Sequence, residues 1–117
     1  MKKRLNNTSS SRLIGNLAKR FPDAKMIMAH FGFEDWLEGI FVAKENKNIY
    51  LDTAGSPTEW LVIKTAVQEC GDDKIVWGSG SPALNIAAEL AKITDAQISE
   101  EAKEKILYKN ISKLLKL

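Results

Sequence analysis

The sequence predicts an α/β domain built on a parallel sheet. Three apolar runs carry that reading: Lys25-Met26-Ile27-Met28-Ala29, Asn48-Ile49-Tyr50-Leu51-Asp52 and Lys74-Ile75-Val76-Trp77. They begin 23 and 26 residues apart, enough for a strand and a crossover helix. They are unbroken rather than alternating, as strands covered on both faces are. Stretches of helical periodicity separate them, giving the order α-β-α-β-α-β-α-α.

Taken in order, Ser10 or Ser11 is expected to cap a helix carrying Leu13, Ile14, Leu17 and Phe21 on one face. Pro22 disfavours helix at Phe21 and ends it. After the first strand, His30-Phe31-Gly32 leads to a helix over Glu34 to Lys44 with Trp36, Leu37, Ile40 and Phe41 inward. Ser56-Pro57-Thr58-Glu59 reads as a capped helix start, with Trp60, Ile63, Val67 and Cys70 recurring behind it and Gly71 stopping it. Ser81-Pro82 repeats that signature ahead of Leu84, Ala87, Ala88 and Ala91. Ser99-Glu100-Glu101 opens the next helix with acidic residues at its positive end. Asn110 is expected to separate it from a last turn with Ile111, Leu114 and Leu115. Residues 1–10 read as a flexible lead-in and 11–117 as one domain.

The composition narrows the function. At 44% hydrophobic and 27% charged, the 117 residues are those of an ordinary globular domain. A net charge of +2 argues against a dedicated nucleic-acid binder, and Lys2-Lys3-Arg4 reads as a solvated terminus. One cysteine excludes an internal disulfide framework. No run has the length of a signal peptide core or membrane helix, so a cytoplasmic protein without membrane contact is expected.

The residues alone give few chemical candidates. A lone histidine at a strand end, His30, reads first as packing or surface. Asp52 reads as a loop carboxylate accepting from nearby backbone N–H groups, with a catalytic carboxylate as the alternative. Glu34 and Asp35 favour the helix start after His30, and Cys70 reads as core. Gly78-Ser79-Gly80-Ser81-Pro82 reads as a plain strand-to-helix turn: Pro82 removes a donor that phosphate binding would use, and no Walker lysine is present behind it. The tryptophans, Met26 and Met28 read as core.

The local sequence goes further. Leu17 to Gly32, with Phe21-Pro22-Asp23 ahead of an apolar strand and Ala29-His30-Phe31-Gly32 behind it, resembles the amidohydrolase-related family that includes aminocarboxymuconate-semialdehyde and resorcylate decarboxylases. There the segment forms the sixth strand of a (β/α)₈ barrel. Asn48 to Thr53 resembles the seventh strand, and Lys74 to Pro82 the eighth. Ile98 to Leu115 resembles the family's closing helices, with Asn110 ahead of a Leu-Leu end. The likeness runs from about Leu13 to Leu117.

The resemblance implies a partial TIM barrel, with about three parallel strands and flanking helices corresponding to barrel strands 6–8. It implies Zn²⁺ or another divalent metal for the family, and a small-molecule substrate that is hydrolysed or decarboxylated. It makes His30 the descendant of the family's acid/base, vestigial in this chain. Gly80 stands where the family has its eighth-strand Asp ligand and offers no side chain, so no metal ligand and no cofactor is assigned to this chain alone. An intact barrel takes about 250 residues. Three expectations therefore stay open: a truncated family member inactive alone, a subunit of a split enzyme completed by a missing N-terminal half, or a non-catalytic binding or self-associating module. Whether the chain is itself an enzyme is left open.

Overall fold

A computed structural model describes residues 10–55 and 60–117 of the chain. Among them, strands β1 (Met26–Met28), β2 (Ile49–Asp52) and β3 (Ile75–Val76) form one sheet in the order β1-β2-β3. Both pairings are parallel, with Ile27 opposite Tyr50 and Leu51 opposite Ile75. The expected parallel α/β architecture is present, and the sheet is an open arc rather than a closed barrel.

Helices α1 (Ser11–Arg20), α2 (Trp36–Glu45), α3 (Trp60–Cys70) and α4 (Ile86–Thr94) fill the crossovers and flanks. Met28, Ile49, Leu51 and Ile75 are buried in one core cluster with Ile40 and Ala43 of α2 and Val62, Ile63 and Ala66 of α3. Each Ile or Leu so placed contributes about 1.5–3 kcal/mol by leaving water. Strand alternation sends Ile27 and Tyr50 to the opposite face, where Ile27 is exposed.

Several helices turn differently from their apolar pattern. Ser10 does cap α1, accepting from the Leu13 N–H at 3.4 Å. Yet α1 buries Ser11, Gly15 and Ala18, while Leu13 and Leu17 stay 55% and 47% exposed and Phe21 is also exposed. Small residues let α1 approach α2 closely, and of the expected apolar face Ile14 packs against the core while Leu13, Leu17 and Phe21 do not. In α2 the buried set is Gly39, Ile40 and Ala43, so the inward positions expected for Leu37 and Phe41 are wrong, whereas Trp36 does pack against the core. The helix start expected at Ser56-Pro57-Thr58-Glu59 lies outside the described residues, as do residues 1–9 and the side chain of Trp60. Behind it, Ile63 is buried and Val67 and Cys70 pack on the core, as their spacing predicts.

Ser81-Pro82 is not a helix start. The segment is a turn, and α4 begins at Ile86 because Asn85 caps it, its Oδ1 accepting from Ala87 and Ala88 N–H groups at 2.9 and 3.3 Å. The buried residues of α4 are Glu89 and Ile93, and Ala87 and Ala88 are exposed.

Ser99 caps α5 (Glu100–Glu104) as expected, accepting from Ala102 N–H at 3.1 Å. Asn110, expected as a break, is not one. A π-helical stretch over Lys105–Lys109 runs directly into α6 (Asn110–Leu115). Asn110 is buried because its amide donates to the carbonyls of Asp72 at 2.6 Å and Ile75 at 2.7 Å. A side chain that satisfies two backbone acceptors is worth more inside than as a breaker.

Candidate active site

His30 stands where β1 gives way to a tight segment, Ala29–Asp35. His30, Phe31, Gly32 and Phe33 all have positive φ, at 56°, 53°, 89° and 66°. Three of these are not glycine, a costly arrangement of the kind that clusters at functional positions. Phe31 is fully buried and acts as the anchor; His30 and Phe33 then meet edge to face with ring centroids 6.3 Å apart.

The ends of β1 and β2 are tied by Asp52. Its carboxylate accepts from the backbone N–H of His30 at 3.4 Å and of Ala54 at 3.2 Å. This is the loop-carboxylate role read from the sequence. The imidazole Nδ1 of His30 is hydrogen-bonded to the carbonyl of Ala54. A carbonyl only accepts, so Nδ1 carries the proton and Nε2 is the nitrogen left for chemistry.

Gly80 lies on the turn after β3 with φ 61°. A Cβ there would run into the Leu84 side chain. Glycine therefore offers no ligand here, and a side chain would have to displace that of Leu84. The neighbouring turn is held by Ser81 N–H donating to Ser79 Oγ at 3.2 Å and by Leu84 N–H donating to the Gly80 carbonyl at 3.1 Å. Asp35 begins α2 without a side-chain capping bond. Cys70 is partly buried, its thiol donating to the Ala66 carbonyl at 3.0 Å. Burial pushes that thiol up to about 11, against a smaller opposing effect of the nearby Lys74 ammonium.

The geometry thus brings His30, Asp52, Ala54 and Gly80 to the C-terminal ends of parallel strands, the end at which (β/α)₈ barrels carry their chemistry. Among the described residues, no three His, Cys, Asp or Glu side chains gather closely enough to hold a metal ion. Both oxygens of Asp52 already accept backbone N–H groups. The residues present here do not, on their own, fit a divalent cation.

A profile of the Amidohydrolase family matches residues 7–117, nearly the whole sequence. The chain belongs to the amidohydrolase family. No curated protein matches it. Among solved structures, a dihydroxybenzoic acid decarboxylase from Polaromonas sp. JS666, with bound manganese and the inhibitor 2-nitroresorcinol, is 25% identical with a TM-score of 0.71 over 92% of this chain. An uncharacterised TIM-barrel protein from Bordetella bronchiseptica is 25% identical with a TM-score of 0.78 over 90% of the chain. A 5-carboxyvanillate decarboxylase from Sphingomonas paucimobilis shares the fold at 19% identity and a TM-score of 0.71. The chain spans 38% of the length of each of these three structures. The amidohydrolase arc is therefore a partial TIM barrel, as its open sheet requires. No helix of the described residues is long and apolar enough to cross a membrane.

Sequence reasoning missed Glu89 and Lys92. Glu89 Oε2 sits 2.7 Å from Lys92 Nζ, with both side chains almost wholly buried behind the strand ends. Their one signal was being the only charged residues in an otherwise apolar stretch, Ile86 to Ile93.

Proposed function

We propose that this chain contributes the sixth to eighth βα units of an amidohydrolase-type catalytic barrel acting on a small aromatic carboxylate, and that it turns over no substrate unaided. Further βα units, on this or another polypeptide, complete the barrel and bring the ligands for a divalent metal. The observation that carries this reading is the orientation of His30. Its Nδ1 is committed to the Ala54 carbonyl, which leaves Nε2 for proton transfer at the active end of the strands.

His30 is the acid/base in this reading. Decarboxylation exchanges carbon dioxide for a proton at the same carbon, and hydrolysis takes a proton from water and returns one to the leaving group. Either reaction needs one positioned proton carrier, and an imidazole suits neutral pH. Decarboxylation is preferred here because the named enzymes of similar fold are decarboxylases. Inactivity of the chain alone rests on the donors among the described residues: one free imidazole nitrogen, a carboxylate already engaged by backbone, and glycine at position 80.

The test is an assay of the purified chain with 2,6-dihydroxybenzoate and Mn²⁺, following carbon dioxide release. No turnover is expected. Metal-dependent turnover without a second component would overturn the reading, and a tight Mn²⁺ site abolished by His30→Ala would overturn the donor count.

The exposed Leu13, Leu17, Phe21 and Ile27 around β1 mark the side at which the preceding βα units would join, whichever polypeptide carries them. Among the described residues no strand pairs with the outer side of β1. Unpaired strand edges with apolar neighbours invite another strand.

A further inference from the structure

We propose that Glu89 and Lys92 are positioning residues that hold the His30 imidazole in a single tautomer, through the loop that carries the Ala54 carbonyl. The inference rests on the reading of His30 as the proton carrier and goes one step behind it.

The ion pair is costly where it lies. Side chains of Glu89 and Lys92 are 7% and 6% exposed, with 2.7 Å between the charged atoms. Removing two such ions from water costs several kcal/mol each, and apolar side chains of like volume usually serve stability as well or better. The helix nevertheless turns Glu89 inward and leaves Ala87 and Ala88 exposed, against the ordinary preference. Stability alone does not account for that choice.

What the pair touches does. Glu89 Oε2 accepts from the backbone N–H of Gly55 at 3.3 Å, and Lys92 Nζ donates to the carbonyl of Thr53 at 3.4 Å. These two contacts flank Ala54, whose carbonyl holds His30 Nδ1. The pair is itself anchored to the sheet: the Trp77 indole N–H donates to the Glu89 carbonyl at 3.1 Å. Asp52 adds the last tie, accepting from Ala54 N–H and His30 N–H. The carbonyl that selects the histidine's tautomer is thus gripped on both sides by opposite charges in a dry setting. There, hydrogen bonds to charged groups are stronger than neutral ones.

Gly55 fits the same scheme. A Cβ there would lie 2.7 Å from His30 Nδ1, so the loop presses its backbone directly against the ring. If the loop loses this placement, the Nδ1 contact goes with it and the ring is free to exchange tautomers.

The chain has one histidine, so ¹⁵N-histidine NMR reads His30 without ambiguity. In the wild-type chain, the neutral ring is expected as the Nδ1–H tautomer, with the Gly55 amide protected from exchange. In Glu89→Met/Lys92→Met, which removes both charges of the pair, both tautomers should appear and Gly55 exchange should rise about tenfold. Glu89→Gln/Lys92→Met keeps an acceptor for Gly55 N–H and should retain most of the Nδ1–H form. A folded double-Met variant with the Nδ1–H tautomer unchanged would overturn the proposal. Should that variant fail to fold, a Gly55 amide that exchanges freely in the wild type would overturn it equally. None of these readouts needs turnover, so they stand or fall separately from the catalytic reading.

Discussion

The backbone N–H of Trp77 donates to the carbonyl of Ile106 at 2.9 Å, so a helix rather than a strand meets the outer side of β3. The π stretch makes this contact available. Asn110 N–H bonds the Lys105 carbonyl, five residues back, which spares the Ile106 carbonyl its usual intrahelical partner. Val76 faces the other way, its carbonyl accepting from Thr53 N–H of the β2 chain at 3.1 Å. The Asn110 amide completes the arrangement by reaching the Ile75 carbonyl.

Asn110→Leu should therefore destabilise the chain by about 2–4 kcal/mol, since two backbone carbonyls lose their donor in a buried place. Urea denaturation measures it. A loss of under about 0.5 kcal/mol, the range of an ordinary surface change, would show that the contact carries little.

Gly39→Ala should cost about 1–3 kcal/mol by overpacking. A Cβ at Gly39 would run into the carbonyl of Phe31, and behind it lies the Met28 sulfur at 3.3 Å. Because Phe31 anchors the left-handed segment, the same variant should also perturb the His30 ring signals. Thermal melting and the histidine NMR spectrum check the two effects together.

The fold class was legible because three short apolar runs at regular spacing leave few other architectures open. Helix faces were less so. Leu13, Leu17, Leu37 and Phe41 have the spacing of an inward face, yet the described chain offers nothing to cover them, and smaller neighbours are buried instead. The site was half legible. His30 and Asp52 fall at strand ends in plain sequence order, but the choice of Nδ1 depends on a backbone carbonyl 24 residues away. Glu89 and Lys92, three apart on a helix, have the spacing of any surface ion pair, and only their burial distinguishes them.

Cys70 should be slow to alkylate. With its thiol held up to about 11 by burial, the thiolate fraction at pH 8 is roughly 100-fold below that of a thiol at the ordinary value of 9.0, and reactivity follows the thiolate. The linkage has a definite sign. The folded chain keeps the proton longer than the unfolded one, so this contribution to stability is full below pH 9.0 and is lost as pH rises toward about 11. Iodoacetamide kinetics and urea midpoints across that window test both; alkylation at the rate of a free thiol would contradict the burial.

Gly80→Asp should not create a metal site. The backbone there has φ 61°, which Asp tolerates at some cost, and its Cβ would displace Leu84. Isothermal titration with Mn²⁺ should show no tight binding in the variant. A submicromolar site would mean that His30 and the new carboxylate find a third donor nearby.

Assembly inherits a direction from the helix laid along β3. A stack grows only when every newcomer leaves a fresh acceptor behind it, and here one flank of the sheet is already spoken for by the chain's own tail. Closing a barrel around this arc therefore asks the tail to yield the flank of β3 to a strand, whereas the flank of β1 has, among the described residues, nothing to displace.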